Sequence, residues 1–171
     1  GFSPDAETRA QGVTYDAEAC ASFEVVAGDS APVSVTLSIP GEHNVSNALA
    51  AYVTGANMGI ASDDIVRGLA EAKASGMRME IVHAPGDVTV INDAYNANPD
   101  SMRASISTLM TLEGTGRRIA VLGDMGELGT DEYQLHVDVG TFAGRADLDM
   151  LVCIGTLSVG IKAGALAADM D

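Results

Sequence analysis

Residues 33–39 alternate strictly. Val33, Val35, Leu37 and Ile39 share one face, and Ser34, Thr36 and Ser38 share the other. A period of two with one apolar side predicts a half-buried antiparallel strand. Residues 21–27 (ASFEVVA) form a second apolar stretch, and the break at Ala31–Pro32 makes the two a hairpin. The residues from Gly1 up to that stretch are polar, and their pattern is too weak to predict an element. After Pro40–Gly41 the period lengthens: Val45, Ala48, Leu49, Tyr52 and Val53 recur at helical spacing, so a helix is expected over 43–58, with Gly59 at its C-cap. Ser62 is the expected N-cap of a second helix, whose apolar side carries Ile65, Leu69 and Ala72.

The small residues Ala74, Ser75 and Gly76 interrupt the pattern, and a domain boundary is expected there, between units 1–75 and 76–171. Strands follow over 79–82 and 88–91 around a Pro85-Gly86-Asp87 turn, then a helix over 99–112 with Pro99 in its first turn. Residues 118–122 (RIAVL) and 150–154 (MLVCI) are nearly continuous apolar runs of the kind covered on both faces, separated by a helix over 131–142 and followed by one over 157–168. Strand and helix alternate, which predicts βαβ units and a parallel sheet. The expected class is therefore α/β: antiparallel strands with two helices, then a second unit that stops on a helix after few strands and reads as truncated.

Composition narrows the options. With 47% hydrophobic and 19% charged residues the chain of 171 can build a core, but with 4% aromatics and no Trp that core rests on aliphatic side chains and Met. Nine basic residues face 24 acidic ones, a formal net charge of -15. Such a surface repels nucleic-acid phosphates and anionic lipid, so neither is an expected partner. An anionic nucleotide would need local help from an Arg, a helix N-terminus or a metal. Cys20 and Cys153 lack CxxC spacing, no apolar run approaches a membrane span, and the opening residues do not form a signal peptide. A reduced cytoplasmic protein is the expectation.

Three segments carry candidate chemistry. In the first, Gly41 turns the backbone into a helix that begins with His43, Asn44 and Asn47. The two carboxamides, three apart, point to the same side and can pair with a purine edge. The plainer alternative is an N-cap and a surface polar residue. In the second, Asp93, Tyr95, Asn96 and Asn98 follow a strand and precede a helix, where open α/β sheets bind ligands. An Asp there can accept from ribose hydroxyls, although strand-to-helix turns are rich in Asn and Asp for their own reasons. In the third, the Gly-rich loop 123–129 holds Asp124 and Glu127, with His136 beyond it. These could be metal ligands or an acid–base set, but the spacing matches no metal motif, and a loop shaping a substrate pocket is the preferred reading. Arg78, at the expected boundary, can reach a phosphate or pair with Glu80. Neither lysine, Lys73 nor Lys162, stands in a GxxxxGK[ST] loop, so the element that cradles ATP phosphates is missing from these residues. No GxGxxG follows a strand, which leaves a nicotinamide dehydrogenase unsupported.

Together, PGEHNVSNALAA (40–51), DAYNANPDSM (93–102) and VLGDMGELG (121–129) with its following His resemble the Mur ligases, and within them the branch that adds D-alanyl-D-alanine to UDP-N-acetylmuramoyl-tripeptide. The first motif is shared by several branches, and the other two are more specific. The resemblance implies an ATP-dependent peptide ligase of peptidoglycan precursor synthesis. This chain would supply the tail of the central ATPase domain and the start of a Rossmann-like carboxyl-terminal domain. It implies ATP contacts from His43, Asn44, Asn47, Arg78, Asp93 and Asn96, and an acceptor or closure role for Asn98, Asp124, Glu127 and His136. Mg2+ would accompany ATP, with its ligands outside this stretch, and the substrates would be UDP-N-acetylmuramoyl-tripeptide and D-alanyl-D-alanine. Two alternatives stand beside it: a non-catalytic nucleotide-binding module, and a metal-dependent hydrolase built on Asp124, Glu127 and His136.

Overall fold

The computed structural model describes residues 1–28 and 30–170. Asp29, in the expected hairpin turn, and Asp171, at the end of the expected second unit, lie outside the described residues. The chain is α/β, and its described residues form two apolar cores.

The first core lies under a three-stranded antiparallel sheet in the order β1 (Thr8–Tyr15), β2 (Cys20–Ala27), β3 (Val33–Pro40). Phe23 pairs with Val35 across the β2–β3 hairpin, in the register that keeps Phe23, Val25, Val35 and Leu37 on the buried face. Helix α1 (His43–Asn57) closes that face with Val45, Ala48, Leu49 and Tyr52, and α2 (Ser62–Glu71) adds Ile65. Each such side chain contributes roughly 1.5–3 kcal/mol on burial. Strand β1 has no counterpart in the sequence reading. Ala10 is its one fully buried residue, and Gly12, at φ 63°, coincides with a register shift between Gln11 and Thr14. A bulge and a single small core residue erase the alternation that would mark a strand.

Two expectations about helix ends meet different outcomes. Met58 takes the C-cap position of α1, and Gly59, one residue beyond, adopts φ 80° while Ile60 N–H donates to Gly55 O at 3.0 Å, so the helix ends where the glycine permits a left-handed turn. Ser62 does not cap α2. Ala61 occupies that position, and the Ser62 hydroxyl instead pairs with the Tyr52 hydroxyl at 3.0 Å, tying the two helices together.

The second core gathers side chains from α3 (Pro99–Thr111), β6 (Ile119–Leu122), α4 (Glu132–Gly144) and α5 (Val159–Ala167). Before it come β4 (Glu80–Ala84) and β5 (Val88–Asn92), an antiparallel hairpin. Among the described residues, parallel pairing is confined to β6 and β7 (Met150–Cys153). The Pro85-Gly86-Asp87 turn is too short for the crossover that parallel strands require. The expectation that 118–122 and 150–154 are covered on both faces is corrected as well. Ala120 and Leu122 are buried, whereas Val121 is 59% exposed and Ile119 and Val152 are also open. Helices α3, α4 and α5 all pack into the second core, and the other face of this two-stranded sheet stays uncovered among the described residues.

Candidate functional site

Six of the residues singled out in the sequence line one cavity of about 690 Å3: His43, Asn44 and Asn47 from the start of α1, Arg78 from the loop before β4, and Asp93 and Asn96 from the loop after β5. Asn98 lines it too. The fold brings them together because α1 begins at the end of β3, while the β4–β5 hairpin returns the chain to the same place before α3 begins.

Asn44 and Asn47 form a linked pair. Asn44 Nδ2 donates to Pro40 O at 2.8 Å, and Asn47 Nδ2 donates to Asn44 Oδ1 at 2.9 Å. The pair is fixed from behind, which leaves the Asn47 carbonyl oxygen, an acceptor, without an internal partner among the described residues. His43 stands beside them with much of its surface open. Burial against the neighbouring wall pushes its pKa below the usual imidazole value, and the Asp93 carboxylate pulls it the other way. The same wall explains Gly41: its φ is 105°, and a Cβ there would stand 2.6 Å from the His43 ring and 3.1 Å from the Thr108 hydroxyl of α3.

Asp93 is half-buried and accepts at both oxygens, from the Met79 N–H at 3.0 Å and from the Ser105 hydroxyl. It therefore latches the loop around Arg78 to α3, with lone pairs left over for a ligand. The expected alternative for Arg78, a pair with Glu80, is not formed. Glu80 Oε2 accepts from Met77 N–H at 3.2 Å and Asn92 Nδ2 at 3.1 Å, while the Arg78 guanidinium lies over the Tyr95 ring, 4.1 Å from its centroid. Such stacking is worth roughly 0.5–1 kcal/mol at an exposed site. Asn98 caps α3: its Oδ1 accepts from Asp100 N–H and Ser101 N–H, and the Ser101 hydroxyl reciprocates at Asn98 N–H.

Asp124, Glu127 and His136 are not among the residues lining this cavity. Asp124 binds the backbone N–H groups of Thr156, Leu157 and Ser158 at 2.9, 3.0 and 2.7 Å, holding the loop that opens α5. Gly155, at φ 119°, leaves room for it, since a Cβ would stand 2.3 Å from the carboxylate. His136 is fully buried and faces the loop: its Nε2 accepts from Met125 N–H at 2.9 Å, and its Nδ1 donates to Glu132 O at 2.6 Å. With Nε2 accepting and Nδ1 donating, neither nitrogen has a lone pair free for a metal, so the hydrolase alternative has no ligand set here. Glu127 takes φ 60° in the same loop.

Desolvation pushes the Asp124 carboxyl up, but the bonds from Ser158, Leu157 and Thr156 outweigh it and hold the pKa below the usual carboxylate range. A depressed folded-state value means that the stabilisation is present above the unfolded-state pKa and disappears as pH falls through the folded-state one. In an acid titration followed by circular dichroism, Asp124→Asn is expected to flatten the low-pH arm of the stability profile. An unchanged arm would show that other carboxylates set it.

The model of the Mur ligase, glutamate ligase domain matches residues 77–171, more than half of the chain. The chain belongs to the Mur ligases. It is 43% identical over 130 residues to the UDP-N-acetylmuramoyl-tripeptide–D-alanyl-D-alanine ligase of Bacillus subtilis, covering 76% of this chain and 28% of that protein. MurF from Acinetobacter baumannii superposes with a TM-score of 0.87 at 32% identity, covering 96% of this chain and 35% of that one. MurF from Thermotoga maritima in complex with ADP shares the fold, with a TM-score of 0.68 at 20% identity, covering 96% and 46%. This Mur ligase chain thus spans about 28% of the length of the curated relative it matches. No helix among its described residues is long and apolar enough to cross a membrane.

The sequence reading of this Mur ligase left out two supports of the cavity, Ser105 behind Asp93 and Met79, whose N–H holds Asp93, and it named Tyr95 without the partner its ring meets, Arg78. Tyr95 stands inside the motif that was singled out, but a motif does not say which side chain an aromatic face will meet.

Proposed function

We propose that this chain is the nucleotide-completing part of an ATP-dependent amide ligase that adds D-alanyl-D-alanine to UDP-N-acetylmuramoyl-tripeptide in peptidoglycan precursor synthesis. The observation that carries the proposal is the convergence of the Asn44–Asn47 pair, Arg78 and Asp93 on one cavity in a Mur ligase chain. In this reading the carboxamides meet the adenine edge, Asp93 accepts from ribose hydroxyls with its remaining lone pairs, and Arg78 forks onto phosphate. Asn96 joins the nucleotide contacts, and Asn98 belongs to the acceptor or closure side. The loop with Asp124 and Glu127, which His136 holds from within, shapes the closing surface. The name of the Bacillus subtilis relative and the ADP complex of the Thermotoga maritima neighbour support the substrates and the nucleotide.

The chemistry fits such a division of labour. A carboxylate is a poor electrophile. ATP transfers its γ-phosphoryl group to the peptide carboxylate, giving an acyl phosphate and ADP. The dipeptide amine attacks the carbonyl carbon, phosphate leaves, and the amine proton is lost to solvent or a base. Positioning and charge stabilisation dominate, and water must be kept from the acyl phosphate. We infer a boundary near Ser75–Gly76, supported by the two separate cores, so that one unit can close on the other.

Mg2+ would accompany ATP, its ligands supplied by the rest of the enzyme. Of the carboxylates lining the cavity, Asp93 is committed to Met79 N–H, the Ser105 hydroxyl and, in this reading, the ribose, and the exposed Asp100 pairs with Arg103; the described residues hold no cluster of three potential ligands. A cytoplasmic setting is part of the same proposal.

The test is kinetic. In the whole ligase, Asn47→Ala and Asp93→Ala are each expected to raise the KM for ATP by about ten-fold, the scale of one or two lost hydrogen bonds. Unchanged ATP kinetics in both variants would remove the site assignment. The purified 171-residue chain is expected to form no amide. In the parent reading frame, a GxxxxGK[ST] loop upstream is expected; its absence would favour a non-catalytic nucleotide-binding module.

A further inference from the structure

Arg78 is presented by a loop whose backbone is both strained and tied. Met77 and Met79, its two neighbours, hold φ of 59° and 49°, a left-handed conformation that side chains with a Cβ rarely adopt. Four hydrogen bonds keep it so: Met77 N–H to Glu80 Oε2, Arg78 N–H to Ser75 O at 3.0 Å, Met79 N–H to Asp93 Oδ1, and Tyr95 N–H to Met77 O at 3.0 Å. Non-glycine strain of this kind persists only where its surroundings over-determine it, and it concentrates at working sites. The last bond also brings the Tyr95 backbone against the loop, and Tyr95, an exposed residue, sets its ring under the guanidinium.

We propose that Tyr95 is the positioning residue for Arg78, carrying the guanidinium plane at the cavity so that its N–H edges are free to fork onto the phosphates of a nucleotide; this rests on the reading of the cavity as an ATP site. The choice of partner has a physical logic. A carboxylate would occupy the same N–H fork and cancel the charge. An aromatic face holds the guanidinium from the side and leaves both its donors and its charge in place. In a chain of net charge -15, the cation that meets an anionic ligand has to be kept from the many acids around it. Glu80, two residues away, is held off by its bonds to Met77 N–H and Asn92 Nδ2.

The experiment compares Tyr95→Leu, Tyr95→Phe and Arg78→Ala in the whole ligase, with ATP varied at saturating peptide substrates. Tyr95→Leu is expected to raise the ATP KM about two- to five-fold, the scale of one exposed cation–π contact, with kcat changed less than two-fold. Tyr95→Phe, which keeps the ring face, restores the wild-type KM, and Tyr95→Leu adds nothing in the Arg78→Ala background. An unchanged KM in Tyr95→Leu, a Phe variant as poor as the Leu variant, or additive effects with Arg78→Ala would each overturn the proposal. A second readout is independent of turnover. The ring-current displacement of the Arg78 Hδ and Nε–H resonances is expected to vanish in Tyr95→Leu and persist in Tyr95→Phe, and its absence from the wild-type protein would refute the pairing. A whole protein that turns over no ATP would defeat the proposed function, while the resonances would still decide the pairing.

Discussion

Gly164→Ala is expected to destabilise the second half of the chain by about 3–5 kcal/mol. Helices α4 and α5 pack through glycines on both partners. A Cβ at Gly164 would stand 2.0 Å from Val137 O and 2.7 Å from Thr141 N, and one at Gly140 would stand 1.9 Å from Ile161 O. The obstructing atoms are backbone, so no rotamer change relieves them, and the helix axes would have to part by on the order of 1 Å. Overpacking a core typically costs 1–3 kcal/mol. Here the displacement also opens the contacts that Val139, Ala143 and Ile161 make in the second core, so a loss of about 3–5 kcal/mol is expected, out of the roughly 5–15 kcal/mol that hold a domain together. Urea unfolding followed by circular dichroism reads this as a shifted midpoint. Gly68→Ala is the control: Gly68 is exposed within α2, a Cβ there meets nothing within 4 Å, and the change is expected to stabilise the chain by about 0.5–1 kcal/mol. Equal midpoints for Gly164→Ala and the parent would mean that the α4–α5 crossing is not as close as described.

The second large effect belongs to His136→Ala. The imidazole is fully buried, takes the Nδ1–H tautomer, and fastens the loop 123–129 to α4 through Met125, itself fully buried. Alanine removes the ring and leaves a cavity, and it orphans a buried N–H. A large-to-small core change costs about 2–5 kcal/mol, and an unsatisfied buried donor costs about 1–3 kcal/mol. The two overlap, so a combined loss of roughly 3–5 kcal/mol is expected. His136→Gln keeps an acceptor and is expected to lose less. Hydrogen exchange separates local from global effects: the Met125 amide should be among the best protected in the parent and should exchange faster in the alanine variant than the amides of β2 and β3, which lie in the other core. Uniform loosening of both cores would show that His136 supports more than this loop.

Much of this was legible in advance, for reasons that differ from element to element. Strand β3 and helix α1 were readable because their periodicities, two and 3.6, are imposed by a buried face that the element itself presents. The end of α1 at Gly59 was readable because a left-handed residue favours glycine. Strand β1 was not, because its bulge and its one small core residue leave no alternation to read. The α4–α5 crossing was written in plain view as Gly140-Thr-Phe-Ala-Gly144 and Gly160-Ile-Lys-Ala-Gly164, yet the spacing gains meaning only once the two helices are known to touch. Within the candidate site, the sequence pointed to Asn44, Asn47, Arg78 and Asp93 and left open whether each was a ligand group or, in turn, an N-cap, a surface polar residue, the partner of Glu80 and a turn-former. The cavity gathers all four, while Asn98 is taken up in capping α3 and Asp124 in holding the start of α5.

By itself the sequence determined the class of the fold, the ends of most helices and the segments rich enough in polar groups to carry chemistry, because these depend on neighbours within a few residues along the chain. Only the tertiary structure decided which polar groups are occupied and which are free: that Glu80 turns away from Arg78, that Tyr95 lies beneath it, and that both nitrogens of His136 are taken. Those outcomes depend on contacts between residues separated by a hairpin, a loop or a helix, and on hydrogen-bonding capacity that a group can commit to only a few partners at once.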